Sequence, residues 1–232
     1  MTCVHEALVA TRFNELHHRF RDTAAPDDFR FHAIIAALKP VAGLRILDLG
    51  CGKGRFARLL MNAGACVVGA DISTAMLGAA RGVSRVAASA LRLPFRDSVF
   101  DAVIAIEMLE HVPSRALGTV LGEMRRVLRA EGRAVILDKN RYALDPNRPW
   151  LPRALVKWID ERRGLWMYAP HEAAREQWFG PWSLSRQLTR HIGPSQVSFL
   201  LDSNEQRHWV FRKLDSTRSM VCWSALKCGG PA

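Results

Sequence analysis

The run Ile46-Leu47-Asp48-Leu49-Gly50-Cys51-Gly52-Lys53-Gly54 constrains this chain more than any other segment. Apolar residues lead into three glycines at alternate positions, and a helical pattern (Phe56, Leu59, Leu60) follows. That order reads as a buried strand, a turn passing close to a ligand, and a helix whose N-terminus faces the same ligand. Glycine permits backbone angles and close approaches that a side chain would block. The helix start offers unpaired N–H groups and partial positive charge, which suit a carboxylate or phosphate.

Spacing excludes two common ligands. The dinucleotide fingerprint G-x-G-x-x-G needs a third glycine where this chain has Arg55. The P-loop needs Gly-Lys-Ser/Thr, and here Gly54 is followed by Arg55-Phe56. A second apolar strand, Cys66 to Ala70, ends at Asp71, twenty-one residues after Gly50. A carboxylate at the end of the second strand of a βαβ unit can accept hydrogen bonds from both hydroxyls of a ribose. Asp71 also suits the start of the next helix, with Ser73 as N-cap, and the two roles are compatible.

The segment L-D-L-G-C-G-x-G closely resembles motif I of the class I S-adenosylmethionine (SAM) methyltransferases. Ser89-Ala90-Leu91-Arg92-Leu93-Pro94-Phe95 resembles the D-A-x-x-L-P-F signature of the type 11 members, in which the first residue meets the adenine amino group. Here that residue is Ser89, which can accept the hydrogen bond but carries no charge. Phe100 to Val112 resembles their fourth-strand motif F-D-x-V-x-x-x-E-x-L-E-H-V. The D/N-P-P-Y/F/W motif usual in methylation of nucleic-acid base amines is replaced by Ile106-Glu107-Met108-Leu109. Within the family, Glu107 to Val112 is similar to the O-methyltransferases of ubiquinone biosynthesis. So is Arg30, twenty residues before Gly50, the position of an arginine that helps bind the SAM carboxylate. Read from the residue alone, Arg30 is equally an exposed arginine on an N-terminal helix. The resemblance covers about residues 30–139.

It implies an α/β fold: a doubly wound, Rossmann-like, mostly parallel seven-stranded sheet with helices on both faces. It further implies a SAM site built from Arg30, Asp48, Gly50, Cys51, Gly52, Gly54, Asp71, Ile72, Ser89, Ala90, Leu91, Ile106 and Glu107, with S-adenosylhomocysteine as product. Cys51 is expected there as a small residue without a catalytic role.

The 232 residues suffice for one well-packed α/β domain with decorations. They divide into an N-terminal helical cover (1–43), a SAM-binding core (44–139), a substrate lid (140–182) and a C-terminal helix with strands completing the sheet (183–232). Strands are expected near 44–49, 66–70, 84–88, 100–106, 133–138, 196–201 and 219–226. Helices are expected near 4–20, 28–38, 55–63, 73–82, 115–129 and 183–192. In the helix over 115–129, Leu117, Val120, Leu121, Met124, Val127 and Leu128 keep a helical stripe, Arg125, Arg126 and Arg129 fall in the last turns, and Gly132 is expected to end it.

No eighteen-residue apolar run is present, and the N-terminus lacks the pattern of a secretory signal. Five cysteines without C-x-x-C spacing indicate reduced thiols and a cytoplasmic setting. The formal charge of +11 is spread along the chain, with no basic tail and no run of five or more like charges. Nucleic acid is therefore not expected as a partner, although an RNA methyltransferase or RNA-binding protein is the alternative that the charge favours. Another alternative is a catalytically inactive SAM-fold adaptor.

Between Asn140 and Trp182 lie five of the seven tryptophans, with Tyr168, Phe179 and several arginines. Leu151, Leu155, Trp158 and Ile159 form one apolar face, which is expected to pack as a lid over an apolar or aromatic small-molecule acceptor. The same basic, tryptophan-bearing helix suits peripheral membrane contact. Oligomeric state is not legible.

A phenolic acceptor, with a pKa of about 10, needs help to lose its proton near neutral pH. His111 is the expected base, with Glu107 as its catalytic companion and His32 and His171 as weaker candidates. Glu107, Glu110 and His111 stand at i, i+3 and i+4, so a helix would place them on one face, where they could hold a divalent ion. Some ubiquinone-pathway relatives are thought to use this set for a metal. The sequence L-E-H-V is widespread in type 11 enzymes without one, so a metal is not favoured.

Overall fold

A computed structural model describes residues 2–168 and 174–229, apart from the side chains of Thr2 and Cys3. Helix α1 (Thr2–Leu16) and helix α2 (Phe29–Leu38) precede strand β1 (Arg45–Leu49), helix α3 (Arg55–Asn62) and strand β2 (Cys66–Asp71). Helix α4 (Thr74–Ala79), β3 (Ser84–Ala87), β4 (Phe100–Ile106), α5 (Ser114–Val127) and β5 (Leu128–Lys139) follow. A small hairpin, β6 (Leu144–Asp145) and β7 (Arg148–Pro152), leads into α6 (Arg153–Arg162). The chain ends with α7 (Pro181–His191), β8 (Ser195–Leu200), α8 (Trp209–Lys213) and β9 (Met220–Leu226).

Seven strands form one sheet in the order β3-β2-β1-β4-β5-β9-β8. The first five are parallel, while β9 runs antiparallel to both β5 and β8. Each central strand sends alternate residues to opposite faces. On β4, Val103 and Ala105 join the apolar cluster under α5 and α7, whereas Ala102, Ile104 and Ile106 join the one under α2 and α3. Every residue of β4 is buried, as expected of a strand with helices on both sides. The chain leaves β1 towards β2 and β3, then returns to lay β4 on the other side of β1. The crevice beyond the C-terminal ends of β1 and β4 is therefore the switch point where such sheets receive ligands.

Three local expectations are corrected. Helix α5 stops at Val127, five residues before Gly132, and Arg129 lies in β5. Leu128 turns to extended angles (φ −72°, ψ 136°) and pairs with Phe100, and a shift of register between Phe100 and Ala102 absorbs the residues up to Arg133. Gly132 sits inside that irregularity, where an added Cβ would lie 2.9 Å from the Arg129 carbonyl oxygen. Helix α4 ends at Ala79 rather than near residue 82.

The third correction concerns the lid. Helix α6 buries none of its residues, and Leu155, Trp158 and Trp150 are exposed. None of the tryptophans lines the cavity described below. Among the described residues its cover is α1 together with Met167 and Glu176 of the 140–182 segment, and α1 is fastened at three places. Asn14 Oδ1 accepts from Ser73 Oγ (2.7 Å) and the Ala75 amide (3.0 Å), Arg12 Nε donates to the Met167 carbonyl (2.6 Å), and His5 Nε2 lies 2.9 Å from the His111 carbonyl.

Candidate functional site

A cavity of about 410 Å³ occupies the switch point, within the range of small-molecule sites. Its floor is the glycine turn. The amides of Gly50 and Cys51 both donate to the Ala70 carbonyl (2.7 and 3.1 Å), which pulls the turn against the end of β2. Gly50 has φ +74°, and a Cβ there would lie 2.3 Å from Met108 Cγ. Gly52 has φ +52°, yet a Cβ there would meet nothing within 4 Å, because that side opens to the cavity. Gly54 caps α3 and backs onto Val83 instead of the cavity.

Asp71 closes β2 beside this turn. Its carboxylate accepts from the Gly52 amide (2.7 Å) and the Ser73 amide (2.8 Å), while Ser73 Oγ accepts from the Met76 amide (3.2 Å) to cap α4. Burial raises the Asp71 pKa, and the amides of Ser73 and Gly52 oppose that rise. Asp48, buried beneath the turn, is pushed up to about 7 by burial and then by the nearby Asp71 charge. Burial also holds the Cys51 thiol far above its usual range, so it is not a thiolate nucleophile.

Ile72, Ala90, Leu91 and Ile106 give the cavity apolar walls. Ser89 is not on the wall: its hydroxyl donates to Glu6 Oε1 and accepts from the Leu91 amide (3.0 Å). At the opposite end Arg30 is gripped by Asp28 (Nε–Oδ1 3.0 Å, Nη2–Oδ2 2.7 Å) and reaches Glu107 Oε2 at 2.8 Å. Arg55 Nη2 donates to the same oxygen at 3.0 Å. Burial would raise the Glu107 pKa, but Lys139, Arg30 and Arg55 outweigh it and hold the carboxyl below its ordinary value. In the sequence Arg55 marks only the absence of the third dinucleotide glycine. As the first residue of α3 it points back across the turn, a placement that the helix start itself signals.

The helical face expected for Glu107, Glu110 and His111 does not form. Glu107 has φ +51°, and a 3₁₀ turn (Leu109–His111) begins two residues later. Glu107 therefore turns to the two arginines, while Glu110 turns to Lys139, whose Nζ lies 2.7 and 2.8 Å from its two carboxylate oxygens. Among the described residues the groups close enough to share an ion are Glu110, His111 and Glu176, not the set expected. The Lys139 ammonium already stands within 3.7 Å of Glu176 as well as beside Glu110, so a cation is built into that cluster. Burial would lower the Lys139 pKa, but Glu110, Glu176 and Glu107 raise it, and it stays charged. Burial, followed by the Asp138 charge, raises Glu110 well above the usual carboxylate range.

His111 lines the cavity with its Nδ1 3.0 Å from the Tyr168 hydroxyl and its Nε2 3.5 Å from Glu110 Oε1. Burial and the Lys139 charge lower its pKa to about 3, so the ring is neutral at physiological pH. His32 is exposed on α2 and does not reach the cavity; His171 lies outside the described residues. Lys139 belongs to no motif in the sequence, and Tyr168 reads there only as one aromatic residue of the 140–182 segment. The signal available for Lys139 was its position at the C-terminal end of a central strand, the edge where ligands bind.

A family model described as a methyltransferase domain matches residues 47–136. The demethylmenaquinone methyltransferase of Mycolicibacterium vanbaalenii is 37% identical over 158 residues, 63% of this chain and 68% of that protein. The chain belongs to the class I SAM-dependent methyltransferases. Methyltransferase GfsG of Streptomyces halstedii is 42% identical over 108 residues, which span 42% of this methyltransferase and 38% of GfsG. The match to the demethylmenaquinone methyltransferase of Mycobacterium tuberculosis likewise spans 48% of that relative.

Among solved structures, a chain from the complex of the Haloferax volcanii Trm112 methyltransferase activator with a methyltransferase aligns with TM-score 0.70 and 17% identity. It covers 97% of this chain and 99% of its own. A SAM-dependent methyltransferase from Mesorhizobium loti aligns with TM-score 0.63 and 21% identity over 87% of this chain and all of its own. These likenesses establish the shared fold. SAM is the cofactor of the family, and the residues present fit it. Gly52 leaves a cradle that a Cβ would fill, the Asp71 carboxylate ends β2 where it could accept from ribose hydroxyls, and Arg30 with Arg55 could receive an amino-acid carboxylate.

Proposed function

We propose that this protein transfers the methyl group of SAM to an oxygen of a small aromatic or lipid-like acceptor of the quinol or phenol class. The observation that carries this reading is the lining of the cavity beyond the glycine turn. It is walled by Phe13, Met108, Val112 and Met167, and beside them stands a titratable cluster of Glu110, His111, Lys139 and Glu176. An apolar ring with a single ionisable oxygen matches that combination. Similarity to demethylmenaquinone methyltransferases supports a quinone-like ring, and it favours a second reading in which a ring carbon of such an acceptor receives the methyl group.

Bound SAM supplies a methyl group already activated by its sulfonium. The chain's own residues orient the acceptor, exclude water and accept a proton. Holding the reacting atoms in line supplies about 7–11 kcal/mol of such a barrier. Glu110, whose raised pKa suits it to hold a proton, receives the acceptor's proton through the neutral His111 ring, which Tyr168 orients. Glu107 remains anionic beside Arg30 and Arg55, so it serves charge balance at the cofactor and not proton transfer.

Incubating the protein with SAM and a panel of naphthoquinols, catechols and simple phenols, followed by mass and NMR analysis of the product, tests the assignment. A methyl ether is the expected product; a ring-methylated compound selects the second reading, and no methylated product from any acceptor overturns both. His111→Ala is expected to lower kcat by about 10²- to 10⁴-fold, the usual contribution of a positioned base. SAM affinity should stay unchanged, and the natural chain's rate should fall as acid protonates the cluster around Glu110.

We also propose shallow membrane contact. Among the described residues no helix is long and apolar enough to cross a membrane. Trp150, Trp158 and Leu165 are 74%, 47% and 71% exposed, and the Arg162 guanidinium stacks 3.8 Å from the Trp158 ring centre. An interfacial tryptophan beside an arginine suits an anionic lipid surface. Replacing Trp150 and Trp158 together by serine is expected to reduce co-sedimentation with phosphatidylserine vesicles several-fold and to leave SAM binding unchanged; equal sedimentation of variant and natural chain rejects the contact.

A further inference from the structure

Glu6 lines the cavity although it lies on α1, outside the family-matched core. Ser89 Oγ donates its proton to Glu6 Oε1 and accepts from the Leu91 amide at 3.0 Å, so the serine hydroxyl is committed on both sides. Among the described residues the second carboxylate oxygen of Glu6 has no hydrogen-bond partner. The surrounding wall is apolar, with Val9, Ile72, Ala90 and Leu91 nearby in the same cavity lining. An acceptor-only group set in an apolar wall is matched by a ligand that offers an N–H there.

The ligand's orientation follows from the sheet. On the SAM reading the ribose would lie at Asp71, the end of β2, and β3 is the next strand outward. Arg30, Arg55 and Glu107 stand at the opposite end, by α2 and β4. The base attached to that ribose must therefore extend away from the arginines, towards the residues after β3 and the helix that covers them. We infer that the Glu6 carboxylate, positioned by Ser89, is the acceptor for the exocyclic amine of adenine, so that α1 supplies the selectivity for adenosine. This rests on the SAM reading and adds to it a residue from outside the glycine-loop core. The three attachments of α1, through His5, Arg12 and Asn14, keep the carboxylate in place and make it a fixed recognition element.

Calorimetry with S-adenosylhomocysteine and S-inosylhomocysteine tests the inference. The second compound carries a carbonyl oxygen where the first has the amine, and that oxygen would face the carboxylate. The natural chain is expected to prefer the adenosine compound at least ten-fold. Glu6→Ala is expected to weaken binding of the adenosine compound about ten-fold while leaving the inosine compound unchanged or tighter. The double variant Glu6→Ala/Ser89→Asp, which returns a carboxylate to the same place from the loop, should restore the preference. Equal weakening of both ligands in Glu6→Ala, or no change in either, overturns the role of Glu6. A natural chain that binds neither compound overturns the SAM reading beneath it, and one that binds both equally overturns only the inference.

Discussion

Asp71→Ala is expected to abolish detectable SAM binding while the chain stays folded. In the natural protein one carboxylate ties down the Gly52 amide and stands where both ribose hydroxyls would donate. Hydrogen bonds to a charged group contribute about 1.5–3 kcal/mol each, so losing two reduces affinity by about 10²- to 10⁴-fold. The fold should tolerate the change, because a buried carboxylate whose pKa burial has raised is not a source of stability. The same raised pKa means that affinity weakens on acidification sooner than it would for an exposed aspartate. Calorimetry with SAM, paired with circular dichroism, reads both halves. A variant that binds SAM as tightly as the natural chain removes Asp71 from the ribose site.

Gly52→Val is expected to have a comparable effect by a different route. With φ at +52°, a β-branched residue is strained at this position whatever the space around it, at a cost of about 1–3 kcal/mol. In a chain of this size that lowers the melting temperature by about 2–4 °C per kcal/mol. The isopropyl group would meet no protein atom; it would stand in the cavity mouth, where the ligand must approach the turn. The expected outcome is a modestly less stable protein that does not bind SAM. Gly50→Ala provides the contrast. Its Cβ would run into Met108 instead of the open cavity, so its damage should appear first as lost stability. If Gly52→Val binds SAM normally, the turn is not the ligand's floor.

The parallel core was legible because its signals are local and periodic. The apolar runs of β1, β2 and β4 and the glycine turn after β1 state their own structure, and the strand order follows from short crossovers. Helix boundaries were less legible. Gly132 has the chemistry of a helix stop, but Leu128 gains more by pairing with Phe100 than by adding a residue to α5, and pairing across a sheet leaves no mark on the intervening sequence. Likewise the spacing of Glu107, Glu110 and His111 is helical on paper. The left-handed angle at Glu107 sends its carboxylate to Arg30 and Arg55, and no residue type other than glycine announces such an angle.

From its sequence alone this protein is committed to a doubly wound sheet, a nucleoside-sized crevice at its switch point and a carboxylate at the end of β2. Hydrophobic period, glycine placement and strand-to-strand spacing are properties of neighbouring residues. The tertiary structure decided everything that depends on distant segments meeting: α1 beside Met167 and Glu176 over the cavity, Lys139 between Glu110 and Glu176, and Glu6 against Ser89. Those contacts join residues 29 to 83 positions apart or more, and their energy comes from charge and hydrogen-bond pairing in a shared low-dielectric space that exists only once the chain has folded.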